Sequence, residues 1–227
     1  MKKKILLLIK TVSMLLLLLS ISYIPIELLG LDINKFSQTQ KILYDFFMNI
    51  IFIVILFIAY RKTLIEDAKK FKNNFLGNIE YAFKWWLLGF GIMVVCNILM
   101  VFVSGFEIAT NEQNIRKLIS VAPIYMTFSI IIYAPFTEEL IFRKGFKDLF
   151  KSKYLFIFMS GFTFAFLHVI SSIQSPIDLL YLIPYSALGF VFSYLYYKTN
   201  NIFSSMTMHF LHNTLAILVY LIGGLIV

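Results

Sequence analysis

Seven stretches of this chain stay apolar for about twenty residues at a time, and that fixes the solvent before it fixes anything else. They are residues 5–24, 42–60, 85–106, 118–136, 154–170, 179–197 and 202–227. A helix needs roughly 20 such residues to cross a bilayer. The expected fold class is therefore all-α: a multi-pass transmembrane helical bundle of about seven spans. Composition agrees, with 60% hydrophobic and 14% charged residues, against about 25% charged in soluble domains. Soluble globular, disordered, collagenous and disulfide-scaffold classes are excluded. The single cysteine, Cys96, has no partner in the chain for a disulfide.

The net charge of +8 resembles a nucleic-acid signal. In a membrane protein it reflects basic cytoplasmic loops instead, so no nucleic-acid partner is expected; the expected partner is membrane lipid. Placing seven spans in alternation puts 15 lysines and arginines on one side and 4 on the other. The side of the bias is the cytoplasm. The N-terminus is then cytoplasmic and the C-terminus outside. Lys2, Lys3 and Lys4 precede the first run as in a signal peptide, but the run is long and no small-residue cleavage site follows it. It reads as an uncleaved helix. The basic, aromatic 61–84 segment reads as a loop on the membrane surface. Residues 1–117 thus supply N-terminal helices and a cytoplasmic loop, and 118–227 the remaining spans, as one structural unit.

Ionisable side chains within spans cost at least about 2.5 kcal/mol each and mark function by default. Three places stand out. In Pro135-Phe136-Thr137-Glu138-Glu139-Leu140-Ile141-Phe142-Arg143 two carboxylates follow an apolar run. Glu139 and Arg143 are one turn apart and can pair. Glu138 points about 100° away and has Ala134 and Phe142 at i−4 and i+4, so it lacks a cation on its own helix face. Pro135 should bend this helix and free backbone groups beside the acids. His168 lies deep in the 154–170 run, and His209, His212 and Asn213 lie in the last one. His209 and Asn213 share a helix face; His212 stands off it, as packing or as a supporting group.

Depth lets these places meet. Glu138 lies 15 residues before Lys153 and His168 lies 15 after it. In an antiparallel hairpin turning there, both stand roughly 22 Å from the tip. His209 reaches that level if the basic tip protrudes into the cytoplasm.

A glutamate withheld from water can serve as a general base and take a proton from water attacking a carbonyl. His209 and Asn213 offer donors for the oxyanion. The same Glu138, His168 and His209 could instead hold a divalent metal such as zinc that activates water. Both routes are hydrolysis, and neither requires a nucleophilic serine or cysteine.

Glu138-Glu139-x-x-x-Arg143, Phe164-x-x-x-His168 and His209-x-x-x-Asn213 together resemble the motifs of the CAAX-protease and bacteriocin-processing (CPBP, or Abi) intramembrane endopeptidases. The resemblance covers roughly residues 118–220. It implies Glu138 as the base, His168 assisting it, His209 with Asn213 as the oxyanion site, and Glu139 with Arg143 orienting the helix. It implies a membrane-associated peptide or protein as substrate, in pheromone or bacteriocin maturation or in immunity, and it leaves metal dependence open. The glycine usual after the arginine is displaced by Lys144 to Gly145. Two other classes are a non-catalytic scaffold or immunity protein of the same fold, and a transporter using the buried acid and histidines as a proton relay. No inverted repeat supports the transporter.

Overall fold

The computed structural model describes residues 2–104, 110–171 and 173–226. Helices dominate: α1 (Lys2–Ser20), α2 (Ile24–Leu29), α3 (Gln38–Asn73), α4 (Phe75–Ser104), α5 (Thr110–Val121), α6 (Pro123–Leu149), α7 (Lys153–Ile170), α8 (Leu182–Thr199) and α9 (Ile202–Ile226). Among the described residues there is no strand.

Six helices are long and apolar enough to cross a membrane: α3, α4, α6, α7, the Pro176–Thr199 segment that includes α8, and α9. The expected first span, α1, is helical but carries Lys2, Lys3, Lys4 and Lys10 in 19 residues. It nonetheless lies, with the turn that follows it, alongside α3. Lys10 Nζ donates to the Ala59 carbonyl, and fifteen residues back along α3 the Tyr44 hydroxyl donates to the Ser22 carbonyl. That run of α3 is about 22 Å long.

Two expected boundaries are corrected. The 61–84 segment is not a loop: α3 continues to Asn73 and α4 begins at Phe75. The reason is an unbroken inward face. Phe52, Leu56, Tyr60, Leu64, Asp67 and Phe71 are all buried at three- and four-residue spacing, so packing carries the helix past its apolar stretch. The expected 118–136 span is cut at its start, where Val121 ends α5 and Pro123 opens α6. It also runs on through both glutamates to Leu149. Gly105, Phe106 and Val227, the ends of two expected spans, lie outside the described residues.

Local signals explain the ends. Ser37 and Gln40 form a capping box that starts α3, and Ser152 caps α7. Asn200, with φ of 47°, ends α8 in the left-handed region, where asparagine is among the few tolerated side chains. Two residues later α9 begins, and its cap comes from far away in sequence. The Ile202 N–H donates to Asp67 Oδ2 at 2.9 Å, and Asn201 Nδ2 donates to the Asp67 carbonyl at 2.7 Å.

Helices α7 and α8 cross closely because glycines face each other. A Cβ at Gly161 would sit 2.8 Å from the Phe190 nitrogen, and one at Gly189 would sit 2.6 Å from the Gly161 oxygen. Gly145, the displaced glycine of α6, makes room for α1: a Cβ there would lie 2.9 Å from Thr11 Cγ2. Thr11 Oγ1 donates to its carbonyl at 3.3 Å.

Candidate active site

The site is built on an irregular helix. Within α6, Ser129–Tyr133 and Glu139–Gly145 are π-helical turns flanking the α-helical Ala134–Glu138. Pro135 shapes the first. The Ala134 N–H reaches back five residues to the Ser129 carbonyl. The same pattern would pair the Ile130 carbonyl with residue 135, whose proline nitrogen has no hydrogen. Asn213 Nδ2 supplies the missing donor, 2.7 Å from the Ile130 oxygen. The freed backbone group expected near the acids is thus satisfied by the side chain expected to accompany His209. π-Turns of this kind collect at functional sites.

Glu139 and Arg143 are fully buried. Arg143 Nε is 3.2 Å from Glu139 Oε2, close enough to pair but not in line for a hydrogen bond. Arg143 Nη1 donates to Ser160 Oγ at 3.1 Å, and the Ser160 hydroxyl donates to the Phe142 carbonyl at 2.7 Å. Ser193 Oγ lies 2.8 Å from Ser160 Oγ. The guanidinium is covered by the rings of Phe164 and Phe192, 4.8 and 5.8 Å from their centroids. A buried charge pair is held better as more of its groups are hydrogen-bonded; here Ser160, backed by Ser193, binds one guanidinium nitrogen at the Gly161–Gly189 crossing, while Nε and Nη2 make no hydrogen bond among the described residues.

The second carboxylate is different. Glu138 Oε2 is buried and makes no hydrogen bond among the described residues. It faces two imidazole nitrogens, His168 Nε2 at 3.9 Å and His209 Nε2 at 3.8 Å. Each ring is fixed from its other side. His168 Nδ1 is 2.8 Å from the Phe164 carbonyl, and His209 Nδ1 is 3.0 Å from Glu139 Oε1. Both partners are acceptors, so Nδ1 carries a proton in each ring, and both Nε2 atoms face Glu138. His209 is stacked on Phe192 at 5.0 Å and met edge-on by Phe164.

Glu138, Glu139, Arg143, His168 and His209 therefore come together within one layer of the bundle, as their depths in the sequence suggest. The two glutamates point apart as expected, yet they share His209, one at each nitrogen. Asn213 sits one turn beyond His209, holding Ile130. His212 packs on Phe90 of α4, with centroids 6.0 Å apart, and its Nδ1 is buried without a hydrogen-bond partner among the described residues. Sequence reasoning missed Ser160 and Ser193, whose signal was a small polar residue next to Gly161 and one turn after Gly189. It also missed Asp45 and Asp67. Asp45 lay inside an expected span, so counting every acid in the apolar runs would have found it.

Residues 120–215 match the family model described as type II CAAX prenyl endopeptidase Rce1-like. That window holds every residue of the site. The match supports a likeness to the CPBP intramembrane proteases. The chain is similar over 142 residues, at 28% identity, to UPF0177 protein YvdC of Lactococcus lactis, covering 60% of this chain and 52% of YvdC. It is 28% identical to YdiL of Bacillus subtilis over 66% of this chain and 61% of that one. It is 26% identical to the membrane-embedded CAAX protease MroQ of Staphylococcus aureus, over 75% and 73%. The chain thus spans about half of YvdC and about three-fifths of YdiL. No solved structure matches it. Its apolar helices and these relatives support a multi-pass membrane protein.

Among the described residues no group of three His, Cys, Asp or Glu side chains is arranged to hold a metal ion. The candidate ligand atoms stand 3.8 and 3.9 Å from Glu138 Oε2. Zinc ligands at 2.0–2.2 Å in a tetrahedron stand about 3.4 Å apart. The set does not fit zinc as it stands.

Proposed function

We propose that the protein is an intramembrane endopeptidase that hydrolyses a peptide bond of a membrane-associated peptide or protein, with Glu138 activating the water. The observation that carries this reading is the unsatisfied Glu138 Oε2 facing two imidazole Nε2 atoms at 3.8 and 3.9 Å. One water oxygen within hydrogen-bond reach of both ends spans each of these separations.

In this reading the water is held between Glu138 Oε2 and His168 Nε2. Its oxygen attacks the scissile carbonyl carbon while Glu138 takes one proton. The carbonyl oxygen becomes an oxyanion. His209 faces it in the protonated form, donating from Nε2, with its charge balanced by Glu139 at Nδ1 and Glu139 balanced in turn by Arg143. Asn213 spends one amide hydrogen on Ile130 and offers the other to the oxyanion. The C–N bond then breaks as Glu138 returns its proton to the leaving amine. Every group is fixed before the substrate arrives, which lets a low-dielectric site stabilise developing charge without reorganising.

The 15-to-4 distribution of basic residues supports a cytoplasmic setting for the turns after α3, α6 and α8. Maturation of a peptide pheromone or bacteriocin, or immunity toward one, is the biological setting this reading favours. The test compares membrane and secreted peptides from wild-type and Glu138→Gln cells by mass spectrometry. A peptide pair joined at one bond, cleaved only in wild type, supports the reading. Identical peptide profiles from cells expressing both proteins equally would overturn it.

A further inference from the structure

A second polar feature lies on the opposite side of the site from the lysine-rich turns. A cavity of about 410 Å³ sits between the α1–α2 turn, α3 and the first π-turn of α6. Asp45, Asn49, Tyr125, Ser129 and Tyr133 line it from α3 and α6, and the side from the α1–α2 region is largely aliphatic, with Ser22 and Tyr23 among its leucines and isoleucines. Asn49 Nδ2 donates to the Tyr125 hydroxyl at 3.2 Å. Asp45 is half-buried, seven residues inside α3. Lys41 stands one turn away, yet among the described residues no lysine or arginine nitrogen lies within 4.0 Å of the Asp45 carboxylate. The Ser22 hydroxyl hydrogen-bonds the Asp45 carboxylate, but no cation balances its charge, and such a carboxylate within a span marks a candidate binding site.

Resting on the endopeptidase reading, we infer that this cavity is a substrate subsite that receives the ammonium group of a lysine in the peptide. Charge complementarity selects a cation. The volume far exceeds what a bare ion needs, and the aliphatic wall suits a lysine stem, which buries its methylenes while its head seeks a polar partner. The cavity and the catalytic acid share one helix. Tyr125, Ser129 and Tyr133 line the cavity turn by turn along α6, and Glu138 follows five residues after Tyr133 on the same helix. From Tyr125 to Glu138 is about 20 Å at helical rise. An extended peptide covers that in about six residues. The recognised lysine therefore stands about six residues from the bond that is cut.

The test uses full-length Glu138→Gln protein in nanodiscs of phosphatidylcholine and phosphatidylglycerol. The probes are a dansyl-labelled apolar decapeptide with one lysine and its norleucine counterpart, and fluorescence reports binding. The lysine peptide should bind about tenfold more tightly. Asp45→Asn should remove that preference, and Asp45→Glu should restore it. Equal binding of the two peptides to protein with Asp45 intact, or a preference that survives Asp45→Asn, overturns the assignment. So does loss of the preference when phosphatidylethanolamine is added, because the ammonium source is then a lipid. Cleavage by protein with Glu138 intact is scored separately. A lysine preference without any cleavage overturns the protease reading and leaves the subsite standing; cleavage without the preference does the reverse.

Discussion

Glu138 and Glu139 are neighbours in sequence at the same depth of the same helix, yet their surroundings are opposite. Around Glu139 each partner is itself partnered: Arg143 by Ser160, Ser160 by the Phe142 carbonyl and Ser193, and His209 held by Glu139 itself. Around Glu138 two imidazoles stop nearly 4 Å short of the buried oxygen. The first environment holds the helix together. The second leaves a group whose needs a reactant can meet. A single step along the helix thus separates stability from reactivity, and one ring, His209, joins them.

The sharpest way to break that comparison is Glu138→Gln. It should lower turnover by roughly 10²–10⁴-fold, the range for removing a general base. The melting temperature in detergent should stay within a few degrees, because the oxygen it alters has no hydrogen bond to lose. A dead and unfolded variant would mean that Glu138 also belongs to the structural half. Arg143→Ala should do the opposite. It strands a buried carboxylate and should cost about 3–5 kcal/mol of stability. Denaturant or thermal unfolding in detergent reads this, and activity per folded molecule should fall far less than for Glu138→Gln.

A milder probe is Gly161→Ala. Its methyl would press on backbone atoms of α8 that cannot turn aside, an overpacking worth about 1–3 kcal/mol. The Ser160–Ser193 contact should loosen with it, so lowered stability with nearly normal turnover is expected. The smallest effect is expected from exhaustive washing with a chelator, followed by metal analysis. The spacing of Glu138, His168 and His209 does not suit zinc, so activity should persist. Parallel loss of stoichiometric zinc and activity would show that the side chains close around a metal in the working enzyme.

Much of the site was legible in the sequence, because charge inside an apolar run is costly and therefore conspicuous. Glu138, Glu139, Arg143, His168 and His209 all announced themselves this way, and helical rise sufficed to bring them level. What surrounds them was not legible. Ser160 and Ser193 are cheap to bury and raise no alarm. The link between Pro135 and Asn213 needs a π-turn, which no periodicity reveals. The continuation of α3 to Asn73 hid behind its lysines, because the mean polarity of that stretch masked the buried face through Leu64, Asp67 and Phe71.

Asp67 carries a consequence for how the chain can be divided. It lies about fifty residues before the window that identifies the family, yet it clasps the first turn of the helix that carries His209. The piece of sequence that signals kinship is therefore smaller than the piece that can hold its shape. A fragment starting at residue 118 would keep all the chemical groups and lose the clasp, leaving the leading end of α9 to fray. Transplanting the recognisable segment onto another set of helices would succeed only where the host supplies a carboxylate at that spot.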